Sequence, residues 1–532
     1  MLPASPSFEH NALSRVTFGA RDVEVAQVQQ TGWSAWVDDQ LNPPAEEEVI
    51  TAYLKARSMH IKYAVQLPAG NSPGWPAVDE RRGLNYLFSD LASIWRMVAK
   101  TEISIAPNER TRIQQELNAA TWIRNAHSKY QLREFLTDFW GNHFNIGREE
   151  DIYGAASLVD YDANVIRPRV FGNFRDLLEA VASSASMLRY LNNAASGPSQ
   201  PTENYAREIM ELHTLGAAAY LGVGGAAPPP SLQVAGFNVA SGFTDADVVQ
   251  VARAFSGWTV EQGQDGLTGL LPFTGKFIFN PLQHGGGAGA FLGVDLSRFT
   301  GVAQGRVILD MLAAHPATAD FVVGKLARRI FGDSPPQNVV ARAKVAWITN
   351  ASRPDQIKRV VAEFLASPEI GQPASKVRRP YERLIALLRT TDTIVSAYDG
   401  ANDALAQIGD GLYAWPTPDG RPDNDAYWLN RSSNLQFWNQ MFKIMAHPAF
   451  LTTLINQTPA GITNSATQII EYWVGRLVGY PLRPEGMQAL VDDALAPFGV
   501  VAAYGSRGLT NIENALRRLV ILIASSPEFS IR

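Results

Sequence analysis

The stretch TENYAREIMELHTLG, residues 202–216, predicts a single amphipathic helix, and the rest of the chain is interpreted around it. Thr202 is expected to cap its N-terminus through the hydroxyl, and Gly216 to close its C-terminus in the left-handed conformation. Apolar residues recur at helical spacing along one face, and charged residues gather on the neighbouring face. Arg207 and Glu211 are four residues apart and should form an ion pair.

This helix carries the first candidate site. Glu208, Glu211 and His213 lie within three turns, beside further polar side chains, on one rigid element. Carboxylate and imidazole groups at this spacing suit general acid–base catalysis or metal ligation. The same pattern is also typical of a solvated helix face with ion pairs between successive turns. The residues alone leave both interpretations open.

A second candidate histidine follows an aromatic helix. The segment LREFLTDFWGNHFNI, residues 132–146, predicts a helix whose aromatic side chains point inward. His143 lies near Asp138 and Asn142, which could orient its ring as a base or a ligand. The alternative is a buried histidine that is hydrogen-bonded to its own helix or to a neighbour.

Four further residues are candidates for substrate binding. Arg207 and Arg253 are expected to hold an anionic group, and Trp258 and Trp415 to supply aromatic contacts. The metal content stays open: a divalent ion on histidine and glutamate is one version of this site.

Two basic helices, over residues 315–333 and 376–389, have two interpretations. They could bind an anionic substrate, or they could form salt bridges with the glutamates of the 202–216 helix. The second interpretation is favoured.

The periodic segments predict an all-α, large, bundle-like fold with one small β-hairpin, formed by WTV at 258–260 and FIF at 277–279. We expect an N-terminal helical region over 1–300, which carries the acidic helix and the hairpin. A C-terminal helical layer should follow over 301–532. Within it, residues 413–430 (YAWPTPDGRPDNDAYWLN) predict an ordered loop held by aromatic side chains, of the kind that often lines sites.

The amino-acid composition excludes several classes of site and of binding partner. The 532 residues include no cysteine, which excludes disulfides, thiolate metal sites and iron–sulfur clusters. A net charge of -5 gives no bulk attraction to nucleic acid, and no apolar run reaches the roughly 18 residues of a membrane span. Lack of cysteine suits an exported protein, so a periplasmic or extracellular location is slightly favoured over the cytoplasm.

A set of motifs is spread along the chain: NALSRVTFGA, LREFLTDFWGNHFNI, NYAREIMELHTLG, DVVQVARAFSGWTV, FIFNPLQH, HPATADFVVGKLARR and WPTPDGRPD followed by WLN. Together they resemble the bacterial family catalogued as domain of unknown function 1800. It implies a largely helical bacterial protein, often exported and often encoded beside a sulfatase-like partner protein. It implies no established activity.

Two functional hypotheses follow. The first is an exported enzyme that acts on an envelope or extracellular polymer, with Glu208 or Glu211 as acid or base and His143 or His213 as its partner. The second is a non-enzymatic helical scaffold that binds a partner protein, such as a sulfatase-like one, and uses its charges for packing alone. Whether the chain is an enzyme stays open at this level.

Overall fold

The computed structural model describes residues 2–147, 151–223, 228–264, 270–373, 375–397, 400–447, 450–451, 453–462, 465–495 and 509–532. Helices dominate this part of the chain. The first half contains α1 (Phe8–Val16), α2 (Asp22–Thr31), α3 (Trp33–Leu41), α4 (Glu48–Lys55), α5 (Leu91–Val98), α6 (Pro107–His127), α7 (Gln131–His143), α8 (Ile152–Ala156), α9 (Leu158–Asp160), α10 (Phe174–Ala182), α11 (Ala185–Tyr190), α12 (Glu203–Glu211) and α13 (Asp245–Phe255).

The second half is built in the same way. It contains α14 (Val302–Ala314), α15 (Pro316–Phe331), α16 (Gln337–Thr349), α17 (Gln356–Leu365), α18 (Pro380–Thr390), α19 (Gly400–Ala406), α20 (Asp425–Trp428), α21 (Arg431–Ala446), α22 (Leu454–Gln457), α23 (Ala466–Val478), α24 (Pro484–Ala489) and α25 (Leu509–Ala524). No single described helix is long and apolar enough to cross a membrane, although α14 and α15, which meet at 62°, reach that length and composition together.

The fold is helix-rich but not purely α-helical. The predicted hairpin is confirmed, with Trp258 paired to Phe279 and Val260 to Phe277. The expectation of only one hairpin is wrong, because the described residues form five antiparallel two-stranded sheets. The pairs are β1 (Ser58–Tyr63) with β2 (Val78–Gly83), β3 (Leu232–Val234) with β4 (Phe237–Val239), β5 (Trp258–Gln264) with β6 (Leu270–Phe279), β7 (Ala290–Phe291) with β8 (Val294–Asp295), and β9 (Ile394–Val395) with β10 (Phe450–Leu451).

One apolar core runs from Ala12 to Phe529 and includes six fully buried tryptophans. Helix α18 lies inside it, since every one of its residues is buried. Burial of this helix brings its arginines into the interior, where each needs a carboxylate or several carbonyl acceptors. The division at residue 300 stays a prediction.

Helix α12 is shorter than the sequence suggests. It ends at Glu211, and the chain then turns so that the Gly216 N–H donates to the Met210 carbonyl (3.2 Å), with Gly216 at φ +84°. Thr202 precedes the helix, but its hydroxyl donates to the Asn192 carbonyl (3.3 Å) instead of capping. The helix therefore starts where expected and stops one turn early, which turns residues 212–216 toward the interior.

Candidate functional site

A polar cleft of about 380 Å³ opens where α7, α15 and the 413–430 loop meet. That volume lies in the range of small-ligand sites. Helix α7 lines it with Asp138 and His143, α15 with Lys325 and Arg328, and the loop with Asp419. We call this space the polar cleft.

Two asparagines after and within α7 hold the loop in place. The Asn142 side chain donates to the Arg421 carbonyl (3.1 Å) and accepts from the Arg421 backbone N–H (2.8 Å). Asn145 donates to the carbonyls of Trp415 (3.2 Å) and Thr417 (2.8 Å). Gly420 has φ +77°, and a Cβ there would lie 2.2 Å from the Asn142 carbonyl oxygen. The loop is held by aromatic side chains as expected, since Trp428 Nε1 donates to the Pro422 carbonyl (2.8 Å), and the asparagine amides hold it as well.

Beneath the cleft lies a buried ion network centred on Asp138. Its carboxylate accepts from Arg329 (2.8 Å), Arg379 (2.6 Å) and Arg421 (3.4 Å). Burial opposes ionisation of Asp138, but the three guanidinium groups outweigh burial and hold the pKa of that carboxyl below its usual range. Glu382 pairs with Arg329 in the same network. The favoured interpretation of the basic helices is therefore wrong for Arg329, whose carboxylate partners come from α7 and α18.

Two cations of α15 stand apart from this network. Among the described residues, no carboxylate lies within ion-pair distance of Lys325 or Arg328, both of which line the cleft. Burial lowers the pKa of Lys325 to about 8, while the charges of Asp423 and Asp419 oppose that shift. The Asp423 carboxylate is occupied by Lys376 at 2.7 Å. The cleft wall therefore presents two cationic groups that are available to a ligand.

Glu208, like Lys325, has no ion-pair partner among the described residues and a pKa that burial shifts toward neutrality. Its carboxylate is half-buried and makes no hydrogen bond or ion pair with any described residue. Burial raises the pKa of Glu208 to about 7, and the charges of Glu211 and Asp419 add to the shift against that of Arg207. The charge of Asp419, which lines the cleft with Lys325, thus acts on both Lys325 and Glu208.

Arg207 is held away from a ligand by its own partners. The predicted pair with Glu211 is present at 3.2 Å, and Arg207 also contacts Asp245 at 3.1 Å. The Tyr220 hydroxyl donates to Asp245 (2.9 Å). Because Arg207 is shared between these two carboxylates, it makes no ion pair with Glu208, and among the described residues no other cation does.

The two predicted histidines lie close together at the wall of the cleft, which His143 lines. Their ring centroids are 6.4 Å apart, and His143 Nε2 lies 3.1 Å from the His213 carbonyl oxygen. Burial, together with the charge of Lys325, lowers the pKa of both rings, to about 3 for His213. Both are therefore neutral at physiological pH. With Nε2–H donated to the carbonyl, His143 Nδ1 is an acceptor, and it has no partner among the described residues.

Of the other residues predicted to bind substrate, only Trp415 lies near the cleft. Arg253 is exposed on α13 and reaches only the Gly287 carbonyl at 3.5 Å. The Trp258 ring is fully buried between Phe255 and Phe277, so it presents no surface to a ligand. Trp415 belongs to the loop that lines the cleft. The structure therefore brings Glu208, Glu211, His143 and His213 to one region, and leaves Arg253 and Trp258 outside it.

Sequence reasoning did not single out Lys325, Arg328 or Asp419 as site residues. The sequence does show the basic run KLARR, residues 325–329, on one helix. Its spacing does not predict which of these cations form ion pairs with carboxylates. In the part of the chain that the structure describes, no three His, Asp or Glu side chains are grouped so as to hold a metal ion.

The comparison with protein families bears on this geometry. A family model described as "Protein of unknown function (DUF1800)" matches residues 11–531. The chain belongs to this family. The resemblance stated from the sequence motifs is thereby confirmed over nearly the whole chain. Comparison with curated proteins and with solved structures gives no match. Because the family description names no activity, function has to be argued from the site.

Proposed function

We propose that this member of the family is an enzyme whose site is the polar cleft, acting on an anionic polymer of the bacterial envelope or the extracellular space. One observation carries the proposal. Glu208 and Lys325 lack ion-pair partners among the described residues, both have pKa values displaced toward neutrality, and both feel the charge of Asp419. An acid and a base whose pKa values are shifted in opposite directions, and which respond to one carboxylate, are typical of acid–base catalytic sites.

The division of roles follows from the charges. Near pH 7 the Glu208 carboxyl exchanges its proton readily, so it serves as the general acid or base. Lys325 and Arg328 lie one turn apart on α15 and supply the cationic wall for a carboxylate, sulfate or phosphate group of the substrate. This assigns to α15 the anion-holding role that the sequence analysis gave to Arg207 and Arg253.

The two histidines do not change protonation state near neutral pH, because burial lowers the pKa of both rings. His143 and His213 stay neutral, and the buried, unpartnered acceptor at His143 Nδ1 adds no charge to the cleft. The proposed extracellular location is supported by the lack of cysteine.

The test is an activity screen on purified protein with carboxylated, sulfated and phosphate-bearing polysaccharides, read out as new chain ends or released anion. Glu208→Gln should lose roughly 100-fold or more of the rate, the range for a general acid or base. Glu203→Gln, at the exposed start of the same helix, is the matched control and should keep full activity. Equal activity of Glu208→Gln and the parent would contradict the proposal.

A second candidate function is favoured by a different surface. On α21, the side chains of Leu435, Trp438 and Phe442 are 58%, 37% and 45% exposed, at spacings of three and four residues. They form an apolar stripe suited to a partner protein, in line with the scaffold hypothesis and its sulfatase-like partner. Co-purification of a sulfatase-like protein with the parent but not with Leu435→Glu/Phe442→Glu would favour the scaffold, provided that Glu208→Gln leaves that complex intact.

A further inference from the structure

A second pocket, unrelated to the polar cleft, surrounds a buried arginine. Arg378 precedes α18 and is only 6% exposed. Its Nη1 donates to the Phe529 carbonyl (2.5 Å), and its guanidinium lies 5.1 Å from the centre of the Phe529 ring. Among the described residues, no carboxylate lies within ion-pair distance of it, whereas Arg379 and Arg532 beside it both have carboxylate partners. A buried charge without a counter-ion is unusual, because burial strongly penalises an unpaired ion.

The carboxylates near Arg378 are engaged by other cations. The charge of Glu382 acts on Arg378, but its carboxylate is shared among Arg329, Arg379 and Arg532. Arg383 is buried nearby and donates to the Asn434 side-chain carbonyl (2.7 Å), with no carboxylate partner of its own in the described chain. Glu528 lines the pocket, but Arg483 engages its carboxylate at 3.3 Å through the side chain and at 3.1 Å through the backbone N–H. The neighbourhood of Arg378 therefore keeps an excess of positive charge.

Space for a ligand lies directly beside this arginine. A pocket of about 260 Å³ is lined by Arg378, Ser14 and His10, and by apolar side chains that include Leu477 and Ile531. The Ser14 hydroxyl is buried at 3% exposure and has no hydrogen-bond partner among the described residues. Burial and the charge of Arg378 lower the pKa of His10 to about 4, so its ring is neutral at physiological pH. The pocket shares no lining residue with the polar cleft.

We propose that this pocket binds a small organic carboxylate with an apolar body, held by Arg378 and Ser14. The carboxylate supplies the absent counter-ion to the guanidinium and accepts from the serine hydroxyl. The apolar walls suit an aliphatic or aromatic body. A carboxylate fits better than a phosphate, because a phosphate brings more charge and a third strongly accepting oxygen against apolar walls, and Arg378 Nη1 is already used by the Phe529 carbonyl.

The proposal is tested by ligand-induced thermal stabilisation of the full chain. Octanoate and benzoate at millimolar concentration should raise the melting temperature, since a ligand that binds only the native state stabilises it. Octanol and benzamide, which match them without the charge, should not. Arg378→Gln should abolish the effect, and Arg298→Gln, an exposed arginine, should leave it unchanged.

A second variant protects the test against a folding defect in Arg378→Gln. Ser14→Ala removes only an unpartnered hydroxyl, so it should fold and bind octanoate or benzoate about 3- to 10-fold more weakly, the value of one lost hydrogen bond. Three results would overturn the proposal: no stabilisation by either carboxylate, equal stabilisation by the uncharged analogues, or full affinity in Ser14→Ala. Tighter binding of inorganic phosphate than of the carboxylates would overturn the assignment of ligand class.

Discussion

Replacing Glu208 by glutamine should stabilise the protein, and only at neutral and alkaline pH. The folded chain raises the pKa of this carboxyl from 4.5 to about 7. The native state therefore binds the proton more tightly than the unfolded state, so its stability is complete below pH 4.5 and declines as the pH rises through 7. Glutamine resembles the protonated carboxyl at every pH and removes that decline.

The size of the effect follows from the shift. A difference of about 2.5 pKa units corresponds to roughly 3.4 kcal/mol at full burial, since each unit is about 1.36 kcal/mol. Glu208 is half-buried, and solvent screening reduces the expected gain to about 1–2 kcal/mol. The gain should be absent at pH 4 and complete at pH 8.

Urea denaturation of Glu208→Gln and the parent at a series of pH values measures this gain, with Glu203→Gln as the control on the same helix. The control should show no stabilisation at any pH. A Glu208→Gln protein that is less stable than the parent at pH 8 would refute the reasoning, because it would mean that the carboxylate has a stabilising partner in the folded state.

Three further predictions concern the ion network and the loop. Asp138→Asn should lower the free energy of unfolding by about 3–5 kcal/mol, because it leaves three buried guanidinium groups with only Glu382 and Asp410 as counter-charges. Asp355→Asn removes a carboxylate shared by two exposed arginines and should cost less than about 1 kcal/mol in the same urea titration. Asp419→Asn should lower the pKa of Glu208 toward its ordinary value, as read from the pH dependence of unfolding. Gly420→Ala should displace the 413–430 loop from α7 and reduce activity more than thermal stability, because a Cβ meets a backbone carbonyl there.

The helical framework could be predicted from periodicity, and most of the strand pairs could not. The hairpin at Trp258 was predicted because its two strands are apolar runs on either side of a glycine-rich turn. β3 and β4 lie in a stretch rich in Gly, Ala and Pro, where the strands have three residues each. The turn between them contains Ala235 and Gly236, both at positive φ. Glycine is common at such positions and alanine is not, so the sequence pattern does not predict this turn.

The sequence named the acidic and histidine residues of the candidate site, but it did not name the cations Lys325 and Arg328. Glu208 and His143 lie on strongly patterned helices, so their faces could be inferred from spacing. Lys325 and Arg329 are neighbours on one helix, yet Arg329 is neutralised by Asp138 and Lys325 has no carboxylate within ion-pair distance in the described chain. Pairing of this kind depends on contacts between residues nearly two hundred positions apart, which no local pattern encodes.

The central claim is that Glu208 exchanges its proton near neutral pH, under the charge of Asp419 from the polar cleft. Nuclear magnetic resonance of the protein labelled with ¹³C at the glutamate carboxyls, with Glu208→Gln used to assign the signal, measures that titration directly. The account predicts a midpoint close to 7 that falls in Asp419→Asn. A midpoint near 4.5 that is insensitive to Asp419 would contradict it.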